Sequence, residues 1–188
     1  MPEGAPLPRP AGNAVVNLPN IITFARLCAV PAAVWLVLRE QFGVAFWLFV
    51  AAGVSDAVDG WLARRRGPTM IGTLLDPVAD KLLLVSMCVT LAAVQQLPDW
   101  LAILVVFREV VILGGLIVLA VSGQKMAIRP LPVSKLNTVL QILLVALTLA
   151  MAATGWGWKL LTLALTWAVA ASTLASGAAY VWTGARAR

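Results

Sequence analysis

Six apolar stretches, each close to or beyond the roughly 20 residues that cross a hydrocarbon core, constrain this 188-residue chain more than any other feature. They run over about 20–39, 42–65, 73–96, 99–121, 134–154 and 157–183. Only 12% of residues are charged, against about 25% in soluble domains, and the mean hydropathy is +0.93. The connections are short, no internal repeat is visible and no appended soluble domain is expected. The sequence therefore predicts an all-α fold: a polytopic membrane protein with a six-transmembrane-helix bundle and a short N-terminal interfacial helix segment. The membrane domain is expected over 17–188. Residues 1–16, rich in Pro, Gly and Ala, are expected to be a disordered tail, with neither the apolar region of a signal peptide nor the Arg and Ser of a transit peptide.

Charge orients the bundle. With the N-terminus inside, only Arg39 and Lys159 of the fourteen basic residues face outward, Arg108 lies within the fourth span, and the other eleven collect on the cytoplasmic side. This asymmetry is the positive-inside pattern. It predicts both termini and the acid cluster on the cytoplasmic side; the expected location is a bacterial cytoplasmic membrane. Anionic lipid headgroups are sufficient partners for a net charge of +6, so no nucleic acid is invoked. Cys28 and Cys88 both fall in apolar runs and are expected to be buried, inert thiols. With no His and no paired-Cys spacing, zinc and haem sites are not expected.

Against this apolar background, half of the eight acids fall within the 27 residues Ser55 to Lys81. At 100° per residue, Asp56 and Asp59 share a helical face with Gly60 and Ala63, flanked by Arg64. Gly72, Asp76 and Asp80 follow one another at i+4 in the next span. Two helices can thus aim four carboxylates at one point, with small residues leaving space beside them. Asp76 before Pro77 also reads as a helix N-cap with Pro at the first helical position. As caps or loop charges alone, four acids on converging faces are not accounted for: an Asp deep in a span costs about 2.5–3.5 kcal/mol, and neighbouring acids repel. Either some are protonated or cations sit among them, and hard oxygen ligands favour magnesium, manganese or calcium. A carboxylate-held metal pair suits displacement at phosphorus, Gly60 permits close approach, and Arg64 can neutralise a phosphate. These residues point to a metal-dependent enzyme acting on a diphosphate lipid.

The same residues resemble the signature of the CDP-alcohol phosphatidyltransferase family, D-x-x-D-G-x-x-A-R-x8-G-x3-D-x3-D. It reads here as Asp56, Asp59, Gly60, Ala63, Arg64, Gly72, Asp76 and Asp80, with seven residues rather than eight between Arg64 and Gly72. The missing residue is expected in an interhelical loop, where shortening is tolerated. The resemblance implies CDP-diacylglycerol as donor, a glycerol-type lipid or phosphate acceptor, CMP as leaving group, two Mg2+ or Mn2+ ions and a homodimer. It implies that Asp56, Asp59, Asp76 and Asp80 hold the metals and that Asp80 is the general base. Gly60, Ala63, Arg64 and Gly72 would shape the nucleotide pocket. "LPNIITFAR" is similar to the family's opening segment, with Asn20, Thr23 and Arg26 on one face; the resemblance implies that Asn20 and Thr23 contact the nucleotide, and an interfacial amphipathic helix is the alternative reading of that trio.

Two places bear on the acceptor. Arg108 within an apolar span needs a partner: either an acid, in a structural ion pair, or an acceptor phosphate. Glu109, its neighbour, is expected to point elsewhere, since i and i+1 do not share a helix face. In phosphatidylglycerophosphate synthases a similar Arg is followed eight residues on by a second, and here that position is Leu116. "RPLPVSKLNTVLQ" is closer to the segment of the family's cardiolipin synthases, with Lys135, Asn137 and Gln141 available to an acceptor. Phosphatidylglycerol is the expected acceptor, with glycerol 3-phosphate as the alternative. A cation channel or carrier and an intramembrane prenyltransferase are the rivals weighed. Trp156, Trp158 and Trp182 are expected as interfacial anchors, and Gly114 and Gly115 as a close helix contact.

Overall fold

The structure, a computed structural model, describes the backbone of residues 18–66, 70–121 and 132–186, and the side chains of 24–58, 80–115 and 133–179. The 1–16 tail expected to be disordered lies outside these residues. The described backbone forms six α-helices and no strand: α1 (Leu18–Leu38), α2 (Phe42–Arg66), α3 (Met70–Ala93), α4 (Asp99–Val121), α5 (Pro132–Thr154) and α6 (Lys159–Arg186). Segments α5 over Val133–Thr154 and α6 over Lys159–Ala179 are long and apolar enough to cross a membrane.

Two boundaries differ from the sequence expectation. The opening segment is continuous with the first apolar stretch: α1 runs from Leu18 through Pro31 to Leu38, since nothing between Asn20 and Val30 interrupts helix formation. Asp76 is not an N-cap either. Helix α3 begins six residues earlier, at Met70, and runs through Asp76 and Pro77. One proline removes one backbone bond, a loss that apolar surroundings tolerate when neighbouring groups satisfy the freed carbonyl.

The helices close a ring in the order α1, α2, α5, α6, α4, α3 and back to α1, with α3 also touching α5 across the middle. Met87, Leu91, Leu101, Leu144, Leu149, Val105 and Val169 are buried at this centre. Ala33 and Ala45, both fully buried, keep side-chain bulk low in α1 and α2. Two hydroxyls inside the bundle bond back to their own helix: Thr90 donates to the Ser86 carbonyl at 2.7 Å, and Thr148 to that of Leu144 at 2.8 Å, which satisfies both donors.

The outward surface is apolar. Leu160, Trp47, Ile103, Phe24 and Phe107 each expose about two thirds or more of their area, far beyond the scattered apolar residues of a soluble surface. Trp156 and Trp158 are exposed in the α5–α6 connection, as an interfacial anchor requires; the Trp182 side chain lies outside those described. Cys88 is buried as expected, but Cys28 is exposed, on the outward side of α1: an apolar run does not distinguish inward from outward. Gly114 and Gly115 are exposed with nothing within 4 Å of a built Cβ, so no close contact forms there within the described chain.

Helices α1 and α3 end in the same way. Glu40 and Gln95 take left-handed φ values of 58° and 59°. Gln41 and Gln96 donate backbone bonds to Leu36 and Leu91 at 2.9 and 2.8 Å, closing Schellman turns. A non-glycine residue in this region costs about 1 kcal/mol. Replacing Gln95 with Gly is expected to stabilise the protein by about 0.5–1 kcal/mol, read as a raised thermal midpoint in detergent; a lowered midpoint contradicts the assignment.

Candidate active site

Three helices bring one cation and two acids together. Arg26 of α1 is 3% exposed, although charge counting placed it among the end charges of the bundle. Its Nη1 donates to Asp80 Oδ1 of α3 at 2.7 Å and lies 3.1 Å from Asp56 Oδ1 of α2. The two acids retain 38% and 45% side-chain exposure. The guanidinium thus sits behind and the carboxylates in front, which leaves the trio a net charge of −1 towards the space they face. That space is a cavity of about 590 Å³ bounded by α1 to α5, with Arg26, Asp56 and Asp80 in its wall and Phe49, Leu83, Leu84 and Ile142 among its apolar lining.

Asp59, Gly60, Ala63 and Arg64 lie on the same continuous α2 as Asp56, and Gly72 and Asp76 on the same α3 as Asp80. Their side chains, and those of Asn20 and Thr23, lie outside the described residues, as does the shortened connection at 67–69. Among the described residues, two of the four predicted acids are therefore brought together, both against Arg26. Two carboxylate oxygens that already gather round one positive nitrogen are a hard, all-oxygen donor set of the kind magnesium and manganese take.

The acceptor-side residues separate into two groups. Arg108, 3% exposed, donates from Nη2 to Ser134 Oγ at 2.6 Å and to Ser176 Oγ at 2.9 Å. Its Nη1 is paired with Glu109 Oε1, so the expectation that Glu109 points elsewhere is wrong. The rule for i and i+1 concerns Cβ directions, and two long side chains reach past it. Glu109 Oε2 in turn accepts from Lys81 Nζ at 2.8 Å. Asn137 is fully buried, and its Oδ1 accepts from Ser172 at 2.8 Å and Thr173 at 2.9 Å. Gln141, one turn further, lines the cavity. Lys135 does not join them: it is exposed and absent from the described wall. Among the described residues, the amide nitrogens of Asn137 and Gln141 and the Nε of Arg108 are buried without a hydrogen-bond partner.

Sequence reasoning missed Arg26 as the bridge, Glu109 and Lys81 as cavity residues, and the hydroxyls of α6. Some signal was present. Glu109 is one of only eight acids, and Ser134, Asn137 and Gln141 recur at helical spacing opposite Ser172, Thr173 and Ser176.

A model of the CDP-alcohol phosphatidyltransferases matches residues 16–175, which contain every residue just described except Ser176. The chain belongs to that family. It is 33% identical over 187 residues to a chloroplastic CDP-diacylglycerol–glycerol-3-phosphate 3-phosphatidyltransferase of Oryza sativa subsp. japonica, covering 88% of this chain and 56% of that protein. To a cardiolipin synthase (CMP-forming)/mitochondrial hydrolase fusion protein of Schizosaccharomyces pombe it is 30% identical, covering 93% and 32%. A Bacillus subtilis CDP-diacylglycerol–glycerol-3-phosphate 3-phosphatidyltransferase is 34% identical over 69% of this chain and 75% of its own length. The chain spans about half of the rice protein and a third of the yeast one. Family membership favours a transferase over the channel, carrier and prenyltransferase alternatives.

Proposed function

We propose that the protein transfers a phosphatidyl group from CDP-diacylglycerol to phosphatidylglycerol, forming cardiolipin and CMP in a membrane crossed by all six helices. The observation that carries this reading is the convergence of signature residues Asp56 and Asp80 at the wall of a largely apolar cavity, in a chain of this family. Asp56 and Asp80, with Asp59 and Asp76 from the same helices, would hold two Mg2+ or Mn2+ ions, which supply charge neutralisation for a diphosphate. Arg26 holds the two described carboxylates in register. Asp80 takes the proton of the acceptor hydroxyl; the acceptor oxygen bonds to the phosphorus next to the diacylglycerol, and the bond from that phosphorus to the CMP oxygen breaks. Gly60, Ala63, Arg64 and Gly72, with Asn20 and Thr23, are assigned to the nucleotide side.

The acceptor assignment follows charge. Arg108 and Lys81 are the two cations described beside Glu109, and a phosphodiester, with one negative charge, asks for fewer cations than a phosphomonoester dianion does. Leu116 in place of a second Arg supports the same choice. The rice and B. subtilis relatives support glycerol 3-phosphate instead. Purified protein given labelled CDP-diacylglycerol and each acceptor separately is expected to yield cardiolipin with phosphatidylglycerol and to lose activity with a chelator. Phosphatidylglycerophosphate as the sole product overturns the acceptor, and no CMP with either overturns the reaction. The same reading places the site on the cytoplasmic face of a bacterial membrane, in a homodimer among anionic lipids.

Gln141 supplies a further check. Its Nε2 has no partner to lose, so Gln141→Leu is expected to keep the thermal midpoint while raising acceptor KM by about fivefold, the worth of a lost hydrogen bond. A lowered midpoint with unchanged KM would make Gln141 structural.

A further inference from the structure

Glu109 stands between the cavity and Arg108. Glu109 and Lys81 belong to the cavity wall, whereas Arg108 lies behind it. The two carboxylate oxygens are divided between cations from two helices: Oε1 faces Arg108 Nη1 of α4, and Oε2 accepts from Lys81 Nζ of α3 at 2.8 Å. An oxyanion shared by an arginine and a lysine is also the contact pattern of a bound phosphate. One further donor lines the same cavity: Gln141 Nε2, 2% exposed as a residue, has no partner among the described residues. A buried donor left unmet costs about 1–3 kcal/mol, so it favours a ligand that brings an acceptor oxygen.

We propose that Glu109 is an internal competitor: its carboxylate holds the anion subsite formed by Arg108 and Lys81, and the acceptor's phosphate group exchanges with it there. The inference rests on the reading that the acceptor is a phosphate-bearing glycerol compound, and it holds for a phosphodiester or a phosphomonoester. It adds Lys81 to the acceptor subsite. Glu109 becomes a residue that sets acceptor affinity without touching the reacting atoms. Lys81, with 45% of its side chain exposed, is the partner freer to turn from Glu109 to the ligand.

A strut that only ties α3 to α4 predicts something different. Removing either end of a strut has the same kind of effect, whereas removing a competitor and removing a ligand-binding cation have opposite ones. The test is steady-state CMP release from CDP-diacylglycerol with magnesium, with phosphatidylglycerol and glycerol 3-phosphate in separate arms. Glu109→Gln, which keeps the shape and removes the charge, is expected to lower acceptor KM about tenfold with the KM for CDP-diacylglycerol unchanged. Lys81→Gln is expected to raise acceptor KM about tenfold. Should Glu109→Gln not fold, Glu109→Asp, one methylene too short to bridge both cations, is read in the same direction. Acceptor KM shifts of the same sign in the Glu109 and Lys81 variants, or an unchanged KM in the Glu109 variant, overturn the inference alone. A wild-type protein that releases no CMP in either arm overturns the parent reading and the inference with it.

Discussion

Asp80→Asn is expected to abolish turnover while leaving the protein folded: CMP release falls by about three orders of magnitude, the upper part of the range for losing a general base. The amide keeps the volume of the side chain and an oxygen that can still accept from Arg26 Nη1, now 2.7 Å from Oδ1. It removes the ability to take a proton and one negative charge from the front of the trio. The fold should survive, because α3 is anchored further along by Met87 and Leu91, both fully buried. A variant that keeps its thermal midpoint and full activity would take Asp80 out of the base role; one that loses both would make it a structural acid.

The second large effect is expected at Arg26. Arg26→Met leaves Asp56 and Asp80 side by side without the positive charge that now lies 3.1 and 2.7 Å from their oxygens. Removing one partner of a fully buried ion pair costs about 3–5 kcal/mol. Both acids are more than a third exposed, so water screens their repulsion and a loss of about 2 kcal/mol is expected. The informative measurement is the thermal midpoint with and without millimolar magnesium. If the acids are metal ligands, the variant regains more stability from the cation than the wild type does, since the ion binds folded protein and replaces the missing charge. Equal magnesium responses in the two proteins would confine Arg26 to a packing role and count against the two acids as ligands.

Much of the architecture was legible in the sequence because each helix coincides with one long apolar run set off by short polar or turn-forming connections. All six observed helices begin and end within about three residues of the predicted segments. Asp56 and Asp80 were legible because helical periodicity places them on faces marked by small residues. What escaped was tertiary or a matter of reach. The Arg26–Asp80 bond spans 54 residues, and nothing in "FAR" marks its arginine as buried rather than terminal. The pairing of Arg108 with Glu109 runs against a rule based on Cβ directions. Asp76–Pro77 looked like a helix start because proline is favoured there, yet the bundle carries α3 through it. The exposed Cys28 and the open surroundings of Gly114 and Gly115 show the limit of one-dimensional hydropathy, since in an apolar segment outward-facing and core-facing positions read alike.

Glu109 illustrates how this affects a functional reading. From the sequence, Arg108 had a choice between an acid and an acceptor phosphate. In the structure the acid is there, held jointly with Lys81 at the cavity wall. The two possibilities then become successive occupants of one subsite, and acceptor choice becomes a question of how much positive charge that subsite presents.

The most direct test is anomalous scattering from crystals grown with manganese and CDP-diacylglycerol. The account predicts manganese peaks within coordination distance of Asp56 and Asp80, with the diphosphate of the nucleotide beside them. Diphosphate density in the cavity without a metal peak at either carboxylate would contradict it.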